Sequence, residues 1–265
     1  MTAVSDAAAQ AAVGAAAREL KLPTVRDQAA RLAEIAARDH CTYLAYLAEV
    51  LAAELDDRSA RRRARRIAEA RFPRIKRLAD FNTDAVPAIT PGQLANLATG
   101  AYLDKGEPVV LLGDSGTGKT HLLIGLGLAA CEQGRGGDVA DPAALVNELV
   151  EAADQRALSR VVSRYGRLDL LLLDELGYVQ VDPRGAELLF QIITEREERA
   201  SIAIGTNLPF SEWGTVFPDP RLVAAIVDRI TFNATIIETG TRSYRLATSK
   251  TSRARQPARN GTPGA

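Results

Sequence analysis

The stretch Val109-Val110-Leu111-Leu112-Gly113-Asp114-Ser115-Gly116-Thr117-Gly118-Lys119-Thr120-His121-Leu122-Leu123 decides how the rest of the chain is read. Its centre, Gly113 to Thr120, fits G-x-x-x-x-G-K-[ST] in full. The apolar run before it suits a buried strand, and Leu122, Leu123 and Leu126 after it suit the buried face of a helix. Strand, glycine-rich turn and helix in that order aim backbone N–H groups and the positive end of a helix at negative charge. The glycines let the main chain wrap around phosphate. Lys119 is placed to meet β- and γ-phosphates and the Thr120 hydroxyl to hold Mg2+. Gly113, Asp114, Ser115, Gly116, Thr117, Gly118, Lys119 and Thr120 are therefore the expected nucleotide-binding set, with ATP and Mg2+ as its ligands.

Roughly fifty-five residues further on comes Leu170-Leu171-Leu172-Leu173-Asp174-Glu175. Four leucines make a strand buried on both faces, and two acids stand at its C-terminal end, where open α/β sheets bind ligands. Asp174 can hold the Mg2+ shell, and Glu175 can align and deprotonate an attacking water. An Asp-Glu pair there suits a hydrolysing ATPase better than a kinase that hands phosphate to a substrate. Asn207 follows a third apolar run, Ser201–Thr206. A polar residue at that strand tip can orient the same water, although a lone Asn at a strand end is more often a turn residue.

Outward from these motifs, short apolar runs alternate with amphipathic stretches. Val109–Leu112, Leu168–Leu173, Ser201–Thr206 and Thr235–Glu238 read as strands. Thr120–Gln133, Ala143–Arg156, Arg184–Arg199 and Pro220–Ile230 read as helices. The alternation predicts an α/β fold with a parallel sheet covered by helices, spanning residues 79–248 and opening on a collar with a short helix at 93–104.

Residues 19–78 read as a small all-α, basic N-terminal domain. One helix starts after Thr24, and a second, capped by Thr42, has Tyr43, Leu44, Leu47, Val50 and Leu51 as its apolar face. That second helix can run on to Ala70, and Pro73 should stop it. From Arg58 to Arg77 there are ten basic residues and one acid, about +9 on a chain with zero net charge. Arginine outnumbers lysine, which suits phosphate, and few aromatics are interleaved, so binding to a duplex backbone is expected rather than base stacking. Arg61, Arg62, Arg63, Arg65 and Arg66 are the expected DNA contacts. The plainer alternative is a solvated helix face whose arginines pair with Asp56, Asp57 or the acids at 195–198. Residues 1–18 read as a disordered Ala-rich N-terminus and 249–265 as a disordered basic tail.

Composition bounds the rest. With 265 residues, 46% hydrophobic and 25% charged, the chain can bury a core without disulfides. Cys41 and Cys131 stand far apart with no metal-ligand spacing, and read as free thiols of a reducing compartment. No run of eighteen apolar residues and no leader pattern occur, so a cytoplasmic protein without a membrane partner is expected.

Taken together, these residues resemble an AAA+ P-loop NTPase, with Walker A at 113–120, Walker B at 170–175 and a sensor-1 asparagine at Asn207. The runs Leu173-Asp-Glu-Leu-Gly-Tyr178, Gly185-Ala-Glu-Leu-Leu-Phe190, Thr206-Asn-Leu-Pro-Phe210, Glu212-Trp213-Gly214 and Asp219-Pro-Arg-Leu222 look like the IstB family. So do Leu22-Pro-Thr-Val-Arg26 and Arg71-Phe-Pro-Arg74. The resemblance covers about residues 20–247. It implies a helper ATPase of an insertion sequence, related to the helicase loader DnaC. Such a helper assembles with copies of itself on double-stranded DNA and recruits a cognate transposase. It also implies an arginine finger at Arg229, with Arg221 as its rival, and a sensor-2-like residue at Arg245. Two positions depart from the family. Residues 135–142 carry two glycines and Asp-Pro where a β-branched, basic edge strand is usual, and Arg242 stands where an acid is common. A replicative helicase loader and a decayed, non-hydrolysing DNA-binding relative are the competing readings.

Overall fold

A computed structural model describes residues 5–178, 180–241 and 243–244. The chain divides into two compact units, Met1–Arg65 and Arg66–Ala265.

The first unit holds α1 (Asp6–Glu19), α2 (Pro23–Arg38) and most of α3 (Tyr43–Glu69). The expectation of disorder over 1–18 is corrected for residues 6–18, which lie in α1, whereas residues 1–4 lie outside the described residues. Ala-rich sequence favours helix, and the Ser5 hydroxyl caps α1 by accepting the Ala8 N–H at 3.4 Å. Thr24 lies inside α2 rather than capping it, because Pro23 takes the first helical position. Thr42 does cap α3, accepting from the Ala45 N–H. The expected apolar face of α3 is corrected too. Val50 is buried, but Tyr43 is 92% exposed, and Leu44, Leu47 and Leu51 are exposed as well. The stripe that meets α2 is turned slightly, to Tyr46, Val50 and Ala53 against Val25, Ala29, Leu32 and Ile35. The Tyr46 hydroxyl donates to the Ala29 carbonyl at 3.0 Å.

The second unit is built on five parallel strands. They are β1 (Val109–Gly113), β2 (Gly137–Ala140), β3 (Leu170–Leu176), β4 (Ser201–Thr206) and β5 (Thr235–Gly240), in the order β2-β3-β4-β1-β5. The helices are α4 (Pro91–Ala98), α5 (Ala101–Asp104), α6 (Lys119–Glu132), α7 (Pro142–Asp154), α8 (Leu158–Gly166), α9 (Pro183–Arg196) and α10 (Pro220–Thr231). The four-leucine run shows why the sheet needs two layers. Leu170 and Leu172 face the core shared with α6 and the collar residues Leu78, Val86 and Ile89. Leu171 and Leu173 face the core shared with α7, α9 and α10.

Residues 135–142 do form an edge strand. It is only four residues long, and Val139 and Ala140 pair with Leu172 and Leu173. The expected short helix at 93–104 is two pieces broken at Gly100, which takes a left-handed backbone. Residues 66–78 belong with the sheet rather than with the N-terminal helices. Ala70 is fully buried, and Phe72 and Leu78 pack into the core beneath α6.

Candidate functional site

The phosphate loop leaves β1 at Gly113 and enters α6 at Lys119. Gly113 has φ 150°, and a Cβ there would lie 2.3 Å from the Thr239 hydroxyl. Gly118 has φ 103°, and its Cβ would strike the Phe81 ring at 2.8 Å. Both positions therefore exclude side chains. Lys119 folds over the loop, its ammonium donating to the carbonyls of Gly113 (2.6 Å) and Asp114 (2.8 Å). The neighbouring strand β5 braces the loop from below. Thr239 donates to the Leu112 carbonyl at 3.0 Å, and its hydroxyl lies 2.6 Å from that of Thr117. Nothing in the sequence reading singled out Thr239, because a Thr in a short strand carries no motif.

The acids of β3 are set by an irregularity. Leu173 pairs with Ile204, but the next pair is Leu176 with Thr206, so Asp174 and Glu175 occupy a bulge. Glu175 takes φ 61°. Bulges beside active sites re-aim side chains, and this one puts Glu175 outside the ladder and on the wall of the nucleotide cavity. Asp174 points toward β4, where Gly205 makes room. A Cβ on Gly205 would lie 2.8 Å from Asp174 Oδ1. Asp174 Oδ1 also accepts the Glu175 N–H at 3.0 Å.

One cavity of about 780 Å3 joins these parts. Ser115 to Thr120, Asp174 and Glu175 line it, with Phe81, Asn82, His121 and Tyr178. The collar contributes more than the sequence suggested. Phe81 meets the His121 ring edge-on at 5.3 Å, and the His121 Nε2 lies 2.9 Å from the Arg77 carbonyl. The segment from Pro73 to Val86 is thereby held against the phosphate loop. Thr120 and Asp174, which both line the cavity, supply hard oxygen donors, which suits Mg2+. That ion takes one or two protein oxygens and completes its shell with phosphate and water.

Asn207 follows β4 beside the turn at Gly177, whose Cβ would lie 3.1 Å from Asn207 Oδ1. That oxygen is buried without a hydrogen-bond partner among the described residues, and Asn207 is not on the cavity wall. Arg229 lies elsewhere. It shares a separate 310 Å3 cavity with Gly106, Pro108, Ala200 and Ile202, residues at the N-terminal ends of β1 and β4, opposite the phosphate loop. Its Nε is 2.9 Å from Glu197 Oε2, Nη1 donates to the Ala225 carbonyl, and the guanidinium covers the Phe190 ring. Arg221 is exposed on the first turn of α10. Arg245, Arg242 and the 249–265 tail lie outside the described residues.

On α3, Arg61 pairs with Glu54 and Asp57, as the plainer alternative allowed for part of the run. Arg61, Arg62, Arg63 and Arg65 are exposed, and Arg66 is half-buried.

Comparison with known proteins agrees with this geometry. Among solved structures, DnaA from Aquifex aeolicus bound to AMPPCP superposes with a TM-score of 0.52 at 21% identity. That match covers 69% of this chain but only 57% of the DnaA chain. DnaI superposes with a TM-score of 0.51 at 18% identity, over 62% of this chain and 90% of that one. These likenesses show that the chain shares the fold of these proteins, a parallel sheet covered by helices with a phosphate loop after its first strand. A protein of Sinorhizobium fredii that carries the name of an insertion sequence ATP-binding protein is 38% identical over 237 residues, 89% of this chain and 80% of its own. A Geobacillus stearothermophilus protein named for insertion sequence IS5376 is 32% identical, over 86% and 90%. The profile of the IstB-like ATP binding protein family matches residues 15–252, and the chain belongs to that family.

Proposed function

We propose that this chain is the ATP-hydrolysing helper of an insertion-sequence transposase, which assembles with copies of itself on double-stranded DNA. The observation that carries the hydrolytic part is the bulge at Asp174 and Glu175, with Glu175 lining the same cavity as Lys119 and Thr120. ATP lies with its phosphates along Gly113–Thr120, and the Lys119 ammonium turns from the loop carbonyls to the β- and γ-phosphates. Thr120 and Asp174 would hold Mg2+, which would supply positive charge to the phosphate oxygens. A water attacks the γ-phosphorus in line, its proton passes to the Glu175 carboxylate, and the bond to the β-phosphate oxygen breaks to leave ADP and inorganic phosphate. Asn207 lies off the cavity wall beside the turn at Gly177, so its proposed part is to orient that water or the γ-phosphate through a shift of the strand tip. Arg229 acts on a neighbouring subunit's ATP, since it stands at the far end of the sheet from its own phosphate loop. Arg245 is the proposed sensor-2-like residue.

The DNA part rests on the basic run of α3 and on relatives named for insertion sequences. Arg61, Arg62, Arg63, Arg65 and Arg66 offer charge to a duplex backbone without reading its sequence. A transposase encoded beside the helper is the partner, and the cytoplasm is the compartment. No helix among the described residues is long and apolar enough to cross a membrane. Steady-state phosphate release, measured with and without duplex DNA, tests this reading. Turnover that rises with duplex is expected, and turnover indifferent to duplex at every salt concentration would contradict it.

A further inference from the structure

The basic run of α3 is not an even stripe. Arg58, Arg61, Arg62 and Arg65 recur at i, i+3, i+4 and i+7 and share one face. With Lys21 and Pro23 they line a shallow notch of about 400 Å3. Arg63 is not part of it.

The notch has a buried foundation. Glu54 is 3% exposed, and both of its carboxyl oxygens are bonded. It accepts the N–H groups of Thr24 (2.8 Å) and Val25 (3.2 Å) and so caps α2 from α3, where Leu22 offers no side-chain cap. Its other oxygen pairs with Arg58 (3.3 Å) and Arg61 (3.4 Å). Thr24 donates its hydroxyl to Asp57, which also pairs with Arg61. Arg58 further donates to the carbonyl of Lys21, a residue held at φ 56°. Two arginines are thus fixed as walls, and Lys21 and Arg62 complete the rim.

The geometry points to this notch as a seat for one phosphodiester of duplex DNA, with Lys21 as a contact outside the basic run and Glu54 as its positioning residue. The inference rests on the DNA-binding reading proposed above and narrows it to one face. Five cations against Glu54 and Asp57 leave the seat positive, and a rigid arginine fork suits a phosphate oxygen pair.

The test is duplex binding by the full chain with ATP, followed by fluorescence anisotropy across a salt series. Lys21→Ala should flatten the salt slope by about 0.9 for each subunit that uses its seat. It should do so more than Arg63→Ala, which removes a charge from the run but not from the seat. Equal effects, or a larger effect of Arg63→Ala, would overturn the seat and leave a diffuse basic helix. No effect of either, with the wild type still binding, would overturn both the seat and the use of this segment for DNA. A wild type that binds no duplex would remove the functional reading itself. Glu54→Gln sharpens the contrast. If net charge alone mattered, losing a negative charge would tighten binding, whereas the seat predicts weaker binding with helicity retained by circular dichroism. If that variant unfolds, the Lys21 and Arg63 comparison decides. Inorganic phosphate at matched ionic strength should compete no better than chloride, and specific competition would reassign the notch to free phosphate.

Discussion

Glu175 holds a left-handed backbone that few residues with a side chain adopt, at a cost of order 1–3 kcal/mol. The cost is met by the sheet on both sides of the bulge, and the return is a carboxylate aimed into the nucleotide cavity. The adjacent Asp-Glu pair was legible as chemistry in the sequence because it ends a buried strand about fifty-five residues after a phosphate loop, whereas a strand-end acidic pair alone is common on a solvated surface. The bulge was not legible, since no residue pattern marks a register shift between β3 and β4. Gly205 is the other residue whose role appears only in three dimensions. We expect Gly205→Ala to push Asp174 aside and to raise the Mg2+ concentration for half-maximal turnover by about tenfold, the scale of disturbed support behind a metal ligand. A Mg2+ titration with an unchanged midpoint would show that Asp174 does not hold the ion. Lys119→Ala should abolish nucleotide binding in a direct titration, and unchanged affinity would remove the phosphate loop from the account.

At the scale of elements, the sequence located β1, β3, β4 and β5 closely because each is an apolar run bounded by turn residues, but not β2, whose Gly137–Ala140 stretch is half glycine and aspartate and takes its strand form from pairing with β3. It missed α8, whose Leu158–Gly166 sequence is short and half polar. It misplaced the apolar face of α3, because two stripes compete on that helix and the one that packs is the less apolar. It also could not foresee Arg196, which reads as a surface residue at a helix end. Arg196 is 1% exposed and donates to the carbonyls of Tyr165, Leu168 (2.9 Å) and Ser201 (2.5 Å), tying the end of α8 to the start of β4. Burial pushes its pKa down to about 10, still well above neutral pH, so it remains charged there. Arg196→Met should strand these carbonyls and cost about 2–4 kcal/mol, at about 2–4 °C of Tm per kcal/mol for a unit of this size. Thermal unfolding followed by circular dichroism checks it, and a Tm within one degree of wild type would mean the arginine is not a structural tie.

For the whole molecule, Arg229 stands apart from its own phosphate loop, so the finger role proposed for it requires a neighbouring copy of the chain. The sequence supplied this only through family resemblance, since an Asp-Arg-Ile triplet near a helix end has no inherent meaning. Arginine fingers contribute about 10³–10⁵ in rate, so Arg229→Ala and Lys119→Ala proteins should each be nearly inactive alone. Mixed together they should recover part of the turnover, because some interfaces then pair an intact loop with an intact finger. No recovery at any ratio would place hydrolysis within one subunit. The central claim, that the bulged Glu175 makes this nucleotide cavity hydrolytic, is tested most directly by comparing steady-state phosphate release from wild type and Glu175→Gln at saturating ATP. The account predicts that Glu175→Gln binds ATP as tightly as wild type and turns over about 10²–10⁴-fold more slowly. Equal turnover at equal ATP affinity would contradict it.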